Sequence, residues 1–332
     1  MQNTATSIDP KDFRRALGMF GTGVTIVTTC TQTGEKVGIT ANSFNSVSLE
    51  PPMVLWSLAK NARSLPAFSQ ASTWNVHILS NAQEALSNRF ARAGEDKFAG
   101  VTLDSQPGQA PLLPDCTARF QCKTAFQYDG GDHIIFVGEV LAYDTNPHPP
   151  LLYVTGGYAL ASRLSPPVST DPQLDTSHSS YSENLLGYLM GRAHHQMLHA
   201  LRVPMAEHGL SEVDFYVLSV LSVQQPLAPA DIAAHTAYTG YDVGHVALAS
   251  LQARGLIEGG DATAQTGTQR LQLSSKGNDA VLHVMAAAKS VEADLFDRLG
   301  EMEAVALRNL LKKAIAATDP GLPRLWQAKA AA

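Results

Sequence analysis

The chain has 332 residues, 45% of them hydrophobic and 16% charged, which is enough for two hydrophobic cores and more than one compact domain usually holds. Its net charge of -6 offers no overall attraction for nucleic acid or anionic membranes. No apolar run reaches the length of a signal peptide core or of a membrane span, so we expect a cytoplasmic protein. The three cysteines include no C-x-x-C pair, which excludes the usual zinc and disulfide patterns and predicts reduced core thiols.

The first half of the chain has the pattern of short β-strands. Runs rich in β-branched and aromatic residues are GVTIVTTC at 23–30, PMVLWSLA at 52–59 and WNVHILS at 74–80. ARFQCKTAFQY at 118–128 alternates apolar with polar residues, which predicts a buried face that includes Phe126 and Tyr128. DHIIFVGEVLAY at 132–143 follows the turn DGG and predicts its hairpin partner. Short strands with long-range pairing predict a closed or nearly closed antiparallel barrel.

Two short helices are predicted to interrupt these strands. The second begins at Asn81, with Glu84 three residues later as in a capping box. Ala82, Leu86 and Phe90 then share one face of this helix.

Residues 162–182, SRLSPPVSTDPQLDTSHSSYS, are rich in Pro, Ser, Thr and Asp and have no periodicity. This composition predicts a linker between a first domain at 1–161 and a second at 183–320.

Beyond this segment the hydrophobic period becomes helical. One helix that ends near His208 carries an apolar face made of Leu186, Met190, Met197 and Leu201. VDFYVLSVLSV, PADIAAHTAY and DVGHVALASLQARG predict three more helices, with Pro229 suited to a helix start and Gly255 to a helix end. GLIEGGDATAQTGTQRLQLSSKG predicts two strands around a loop, followed by helix to about residue 317. The expected fold class is therefore α+β with two domains, the second an α-rich winged helix-turn-helix.

The segment VGITANSFNSVSLEPP at 37–52 gathers small hydroxyl and amide side chains without a cation. Thr40, Asn42, Ser43 and Ser46 are residue types whose neutral donors can converge on a phosphate. A polar loop between two strands is the alternative explanation. The chain has no G-x-G-x-x-G after a strand, which disfavours a Rossmann domain.

Histidines cluster at His194, His195, His199 and His208. His195 and His199 are four residues apart and share a helical face, the spacing that two metal ligands need. No nearby carboxylate or cysteine completes an obvious ligand set, so we predict no metal site.

Several segments of the first half occur in the order of one known family. They are FRRALGMFGTGVTIVTT at 13–29, VGITANSFNSVSLEPPMVLWSL at 37–58, SNRFA at 87–91, DKFAG at 96–100, GGDHIIFVGEV at 130–140 and PLLYVTGGY at 150–158. Together they resemble the flavin reductases of two-component aromatic monooxygenases, and most of all the p-hydroxyphenylacetate 3-hydroxylase reductases. The resemblance covers residues 10–160 and implies a split β-barrel homodimer that binds FMN or FAD and accepts hydride from NADH. It also implies a separate oxygenase partner that receives the reduced flavin.

The same resemblance implies a set of site residues. Those implied to hold the flavin are Val24, Thr25, Thr40, Ala41, Asn42, Ser43, Ser46, Trp56, Ser57, Asn61, Ser64, Arg89 and Phe90. His133, within GGDH, is implied to be the catalytic group on the NADH side, with Arg14 and Tyr158 beside it. A strand-end histidine in a hairpin turn is the alternative reading of His133. Because the cofactor carries the chemistry, the task expected of these residues is to fix the approach of nicotinamide to flavin.

The second half resembles MarR-type regulators in GLSEVDFYVLSVL, LQARGLI and LSSKG. Such proteins often bind small aromatic acids, so the resemblance implies an aromatic-effector-responsive module that inhibits the barrel until its ligand binds. The recognition-helix position contains only Arg254, and Asp and Glu outnumber Lys and Arg between residues 181 and 332, so no nucleic-acid partner is expected. A flavin-responsive MarR-type transcription regulator is the alternative function. A flavin-storage or heme-handling barrel without turnover is a third.

Overall fold

The structure is a computed structural model that describes residues 8–94, 96–106, 108–164, 181, 184–259 and 269–326. The chain divides into two compact units, the first comprising Met1–Ser165 with Leu299–Asn309 and the second Pro166–Arg298 with Leu310–Ala332. Among the described residues, no helix combines the length and the apolar character that crossing a membrane requires. The predicted linker lies almost wholly outside the described residues.

The first unit consists mainly of β-strands. They are β1 (Thr22–Gly23), β2 (Thr25–Cys30), β3 (Lys36–Ala41), β4 (Asn45–Leu49), β5 (Pro52–Ala59), β6 (Thr73–Ile78), β7 (Ala118–Asp129), β8 (His133–Thr145), β9 (Leu151–Val154) and β10 (Gly157–Leu160). Its helices are α1 (Pro10–Leu17), α2 (Leu65–Gln70) and α3 (Glu84–Ala91). The strand runs predicted from sequence are confirmed, and the predicted hairpin is β7 paired with β8.

Seven strands form one antiparallel sheet in the order β3-β2-β6-β7-β8-β5-β4. β3 and β4 are its two edges, yet only residues 42–44 separate them in the chain. A connection of three residues spans at most roughly 14 Å, so the sheet curls until its edges approach each other. β1, β9 and β10 form a second, three-stranded sheet.

Aromatic side chains fill the centre of the large sheet. Trp56 stacks on Phe136 with ring centroids 4.9 Å apart and meets Phe68 edge-on at the same distance. Trp74 packs edge-on against Trp56 at 6.0 Å. A Cβ atom on Gly138 would lie 2.5 Å from the Trp74 ring, so only glycine allows this close approach.

Two details of the first unit differ from the sequence predictions. The capping box consists of Ser80 and Gln83, one residue earlier than predicted, and it opens a 3₁₀ turn (Asn81–Gln83) that precedes α3. Phe126 and Tyr128 are half exposed, because register shifts within β7 at Gln121/Cys122 and Thr124/Phe126 interrupt the alternation of its faces. The prediction that both rings are buried is therefore wrong for the single chain.

The second unit is α-rich. Its elements are α4 (Leu186–Ala200), α5 (Arg202–Glu207), α6 (Glu212–Val223), α7 (Pro229–Thr236), α8 (His245–Ala253), β11 (Ile257–Gly259), β12 (Leu271–Leu273) and α9 (Ser275–Leu299), and α10 (Glu301–Thr318) runs from the first unit into the second. The three predicted helices and the antiparallel strand pair are confirmed, whereas the loop predicted between the strands lies outside the described residues.

The face predicted for the first helix of the second unit is wrong at three of its four positions and right at Leu201. Leu186, Met190 and Met197 are exposed, whereas Leu198 and Leu201 are buried in the core of this unit. The helix also ends at Ala200 instead of continuing to His208, and α5 follows as a separate helix. The buried residue of α4 is Leu198, one position after the predicted Met197. The helix therefore meets the core only near its C-terminal end.

Candidate functional site

Hydroxyl hydrogen bonds tie the end of β3 and the polar segment after it to β2 and β5. Thr25 Oγ1 donates a hydrogen bond of 2.7 Å to the carbonyl of Ala41. Ser43 Oγ donates to the carbonyl of Ser57 at 3.1 Å and accepts from the amide of Ser57 at 2.9 Å. Four residues of the predicted flavin set, Thr25, Ala41, Ser43 and Ser57, therefore form one continuous strip across β2, β3 and β5.

A second set of bonds links this strip to α3. Thr40 Oγ1 donates to the carbonyl of Ser87 at 2.7 Å, and the Ser87 hydroxyl lies 2.8 Å from the hydroxyl of Tyr158. Tyr158 also donates to Asn88 Oδ1 at 3.1 Å. Tyr158, predicted to lie on the NADH side, is thus held next to Thr40 through Ser87. Ser87 and Asn88 were not among the predicted site residues, although both belong to the SNRFA segment that carried the resemblance.

Ser64 has a buried hydroxyl with no hydrogen-bond partner among the described residues. It is the residue before α2, but its side chain does not cap that helix. A buried hydroxyl without a partner is unfavourable by about 1–3 kcal/mol, so this group is suited to meet a polar atom of a ligand. Asn42, Ser46 and Asn61 are exposed, and within the described parts of the chain their side chains make no hydrogen bond.

Two predicted flavin contacts are corrected by the structure. Trp56 and Phe90 are completely buried, so neither side chain can line a ligand site. Trp56 precedes Ser57 on β5, and because side chains alternate along a strand, the two cannot face the same side. Phe90 packs edge-on against Phe98 at 5.0 Å, and a Cβ atom on Gly38 would lie 2.5 Å from its ring. Both residues support the site from within the core.

The other predicted flavin residues are placed in different ways. Val24 is buried where β1 gives way to β2, and its amide donates to the carbonyl of Leu151 at 3.1 Å. Arg89 is half-buried and donates to the carbonyl of Ala99 at 2.9 Å, which ties α3 to the segment after it. Arg89 therefore positions the protein chain in this structure through one of its five donors.

Lys97 is a second positioning residue that the sequence analysis missed. Its ammonium donates to the carbonyls of Gly38 at 3.0 Å and Phe90 at 2.8 Å. Partial burial lowers the pKa of Lys97. The DKFAG segment thus anchors β3, which carries Thr40, against α3.

His133 is the first residue of β8 and pairs with Ala59, the last residue of β5. Ala59 is close in the chain to Asn61 and Ser64. Its Nδ1 lies 2.7 Å from Asp132 Oδ1. Because a carboxylate can only accept, Nδ1 carries the proton and Nε2 is left for a ligand. The same contact lowers the pKa of Asp132, through the hydrogen bond first and the charge of the imidazole second.

Arg14 stays apart from this arrangement. It lies on the exposed helix α1, which is attached to the β9–β10 turn by a bond of 2.7 Å from the Thr155 amide to the carbonyl of Gly18. Within the described residues, no hydrogen bond joins the Arg14 side chain to the other predicted site residues. No group of three or more metal-ligating side chains occurs there either, including at the histidines of α4.

The donor set fits a flavin. Asn42, Ser46, Asn61 and Ser64 carry the neutral hydroxyl and amide donors that suit a phosphate. Ser46 pairs with Val54 on β5, whereas Asn61 and Ser64 follow the end of that strand. The strip itself presents strand edges and main-chain groups, which suit the polar edge of a flat heterocycle. The buried side-chain atoms without a hydrogen-bond partner among the described residues are Thr22 Oγ1, Trp56 Nε1, Ser64 Oγ and His235 Nδ1. Ser64 is the one of these that both belongs to the implied flavin set and is only partly buried as a residue, so its hydroxyl could serve a ligand.

Comparison with known proteins leads to the same family. The model of the flavin reductase like domain matches residues 17–162. FMN reductase (NADH) SmoA of Agrobacterium fabrum is 45% identical over 153 residues, which are 46% of this chain and 87% of SmoA. The stachydrine N-demethylase reductase subunit Stc3 of Rhizobium meliloti is 40% identical over 46% of this chain and 67% of its own.

A further relative matches over a smaller share of its length, and a solved structure matches over its full length. The reductase component of the flavin-dependent trigonelline monooxygenase of Acinetobacter baylyi is 39% identical over 47% of this chain, and this chain spans about half of it, 50%. Among solved structures, the NADH:FAD oxidoreductase SgcE6 of Streptomyces globisporus is 36% identical, with a TM-score of 0.44 over 50% of this chain and 100% of that one. On the match to SmoA and to the family model, this chain belongs to the flavin reductase-like family.

Proposed function

We propose that this protein uses NADH to reduce FMN or FAD and supplies the reduced flavin to a separate oxygenase that hydroxylates an aromatic ring. The observation that carries the proposal is the 45% identity with an FMN reductase (NADH) over 87% of that protein. The strip of Thr25, Ala41, Ser43 and Ser57 lies within the matched residues and supports it. Because NADH is a cytoplasmic coenzyme, the proposal also places the protein in the cytoplasm.

On the flavin side, the task of the protein is to bind and orient. Asn42, Ser46, Asn61 and Ser64 hold the phosphate through neutral donors, and the strip fixes the ring edge. When bound, the flavin would supply the chemistry by accepting a hydride, which is two electrons and a proton, from NADH, and the reduced flavin would then pass to the oxygenase. Trp56 and Phe90 keep the neighbouring strands rigid from inside the core.

On the NADH side, His133 is the group that fixes the nicotinamide. Asp132 holds the imidazole so that Nε2 can contact the carboxamide or the pyrophosphate. Tyr158, held by Ser87 and Asn88, contributes a second polar group from β10, and Arg14 on α1 is the third candidate. This division predicts that substitutions on the flavin side lower flavin affinity, whereas substitutions on the NADH side lower the rate of flavin reduction.

We infer that the first unit works as a split β-barrel homodimer. The β7–β8 hairpin exposes Phe126, Tyr128, Leu141 and Tyr143, the last with 71% of its surface accessible. Phe126 and Tyr128 lie toward the turn of the hairpin, whereas Leu141 and Tyr143 lie toward its open end. Exposed apolar side chains along a sheet are more often covered by a partner than left in water. A second copy of the same hairpin would cover them symmetrically.

We further propose the domain division 1–161, linker 162–182 and 183–320, with the last domain a MarR-like winged helix that inhibits reduction until a small aromatic acid binds. Helices α6, α7 and α8 followed by the β11–β12 pair have the winged-helix order. Coupling of this kind prevents reduced flavin from reacting with oxygen when no aromatic substrate is present. By linkage, an effector activates only if it binds the active state more tightly.

The alternative, a flavin-responsive MarR-type transcription regulator, is less well supported. Arg254, the arginine at the recognition-helix position, is used within the unit: it pairs with Asp214 at 2.8 Å and donates to the carbonyl of Gly209 at 2.7 Å. Duplex binding needs several cations that face phosphates. A footprint on DNA with a steep salt dependence would favour this alternative.

One assay tests the function and its regulation together. NADH oxidation is followed with FMN and with FAD, with and without p-hydroxyphenylacetate, for the full chain and for a fragment that ends at Ser169. We expect flavin-dependent oxidation that the effector accelerates about 5- to 150-fold in the full chain. The fragment should be fast without effector and insensitive to it. A fragment that still responds would place the effector site in the first unit.

A further inference from the structure

Three tyrosines of the second unit lie together on its surface. Tyr216 comes from α6, Tyr238 from a 3₁₀ turn (Ala237–Thr239) after α7, and Tyr241 from the segment before α8. The ring of Tyr216 is 6.3 Å from that of Tyr238, nearly perpendicular at 79°, and 6.0 Å from that of Tyr241, tilted by 32°. We call these residues, with Glu212, the tyrosine cluster. Its rings meet at angles, as the walls of a binding site do.

The cluster is not part of the hydrophobic core. Tyr238 is 67% exposed and Tyr241 is 42% exposed, whereas the neighbouring core is filled by buried residues such as Phe215 and Ile232. Isolated exposed aromatic residues are common on surfaces and need no explanation. Three adjoining tyrosines from separate elements are a recognition feature, because they offer large, rigid contact area with little loss of side-chain entropy.

The cluster is electronegative. Tyr241 donates a hydrogen bond of 2.6 Å to Glu212 Oε2, which increases the electron density of its ring. Partial burial raises the pKa of Tyr216, and the bond to Glu212 raises the pKa of Tyr241, so these phenols stay uncharged at neutral pH. In the part of the chain that the structure describes, no Lys or Arg pairs with Glu212.

The basic side chain that touches the cluster is His194, whose Nε2 lies 3.4 Å from the hydroxyl of Tyr216. Its ring contacts His195, and both residues are on α4. His194 contacts the phenol of Tyr216, whereas the carboxylate of Glu212 accepts from Tyr241, so this imidazole does not pair with the carboxylate. A carboxylate ligand would meet the like charge of Glu212 here, whereas a cation would meet that carboxylate and the exposed rings of Tyr238 and Tyr241.

We propose that Tyr216, Tyr238, Tyr241 and Glu212 form a binding site for an organic cation of the quaternary ammonium or methylated amine class. Such a cation is weakly hydrated, so it leaves water readily and gains from several aromatic faces at once. The site is independent of flavin reduction by the first unit, and its ligand class differs from the aromatic acid proposed above. It makes the second unit a receptor for a cation.

Calorimetric titration of the full chain with choline tests the proposal, with 3,3-dimethylbutan-1-ol as the uncharged molecule of the same shape. We expect saturable binding of choline and at least about tenfold weaker binding of the alcohol, since only the charge differs. Equal binding of the two would show that the site recognises shape alone and would overturn the proposal. So would the lack of saturable choline binding.

Variants locate the binding to the cluster. Tyr238→Leu should weaken choline binding about fivefold or more, Tyr238→Phe should retain most of it because the ring remains, and Glu212→Gln should weaken it severalfold. Tyr188→Leu is the matched control: this tyrosine is in the same unit, but its ring already contacts the guanidinium of Arg192 at 5.7 Å. Choline binding that Tyr238→Leu and Glu212→Gln leave unchanged contradicts the proposal. Binding of p-hydroxyphenylacetate that depends on Tyr238, without binding of choline, would assign the cluster to an aromatic acid instead.

Discussion

The residue that best separates ligand binding from folding is Ser64. Its buried hydroxyl has no protein partner and caps no helix, so Ser64→Ala should leave the free energy of unfolding of the flavin-free protein unchanged or slightly higher. The same change should weaken FMN binding about tenfold, because a hydrogen bond to a charged phosphate is lost. Riboflavin, which has no phosphate, should bind equally to both proteins in a fluorescence titration.

Ser43→Ala is the matched control for Ser64. The Ser43 hydroxyl makes two bonds to the main chain of Ser57, so its removal should lower the free energy of unfolding by about 1–2 kcal/mol. If Ser64→Ala were as destabilising without flavin as Ser43→Ala, the hydroxyl of Ser64 would be a structural group and not a phosphate ligand.

Substitution of His133 should lower the rate of hydride transfer from NADH without changing flavin binding. We expect His133→Ala to slow flavin reduction by about 10- to 100-fold in a preformed flavin complex and to leave flavin affinity within about twofold. Asp132→Asn should give a smaller loss of rate, because the amide still holds the imidazole but no longer fixes its proton on Nδ1. Rapid-mixing absorbance at saturating NADH measures the rate. Lost flavin affinity with an unchanged rate would move His133 to the flavin side.

At the scale of elements, β6 contains a group that makes the first unit sensitive to acid. His77 is buried, its Nδ1 lies 2.9 Å from the carbonyl of Ile26, and its Nε2 accepts from the amide of Leu113 at 3.1 Å. Burial lowers the pKa of His77 from 6.5 to about 4. Between these two pH values the unfolded chain binds a proton that the folded chain does not, so acidification favours unfolding.

We therefore expect the free energy of unfolding of the first unit to fall by about 3 kcal/mol between pH 7 and pH 4 because of His77. Urea unfolding followed by the fluorescence of Trp56 and Trp74 measures it. His77→Gln removes the titration and should flatten this part of the pH dependence, even if the variant is less stable at pH 7. An equal pH dependence in the variant and the parent would exclude His77 as the cause.

The elements also show what the sequence could predict. The strands of the first unit and the helices α6 to α8 were predicted because β-branched runs and helical periods are local signals. The direction of the Trp56 and Phe90 side chains could not be predicted, because a motif gives a position in the chain and does not give the face of the strand or helix. The link from Ser87 to Tyr158 joins residues 71 positions apart and has no local signal. The register shifts in β7 that expose Phe126 could not be predicted either, because the sequence still alternates apolar and polar residues there.

At the scale of the whole molecule, the exposed β7–β8 hairpin should be covered by a second copy of the chain. Sedimentation of the full protein at micromolar concentration should give a dimer. Tyr143→Lys should weaken the dimer, because a charge on a buried apolar face must be desolvated. Tyr188→Lys in the second unit should leave the dimer unchanged. A parent protein that sediments as a monomer would contradict the homodimer.

The most direct test of the whole molecule is whether NADH reduces a flavin bound to it. In an anaerobic single-turnover experiment, the full chain with equimolar FMN is mixed with NADH or NADPH, and the flavin absorbance near 450 nm is followed. The account predicts full bleaching by NADH, faster than by NADPH, and return of the colour when oxygen is admitted. Flavin that stays oxidised in the presence of both nucleotides, for FMN and for FAD, would contradict it.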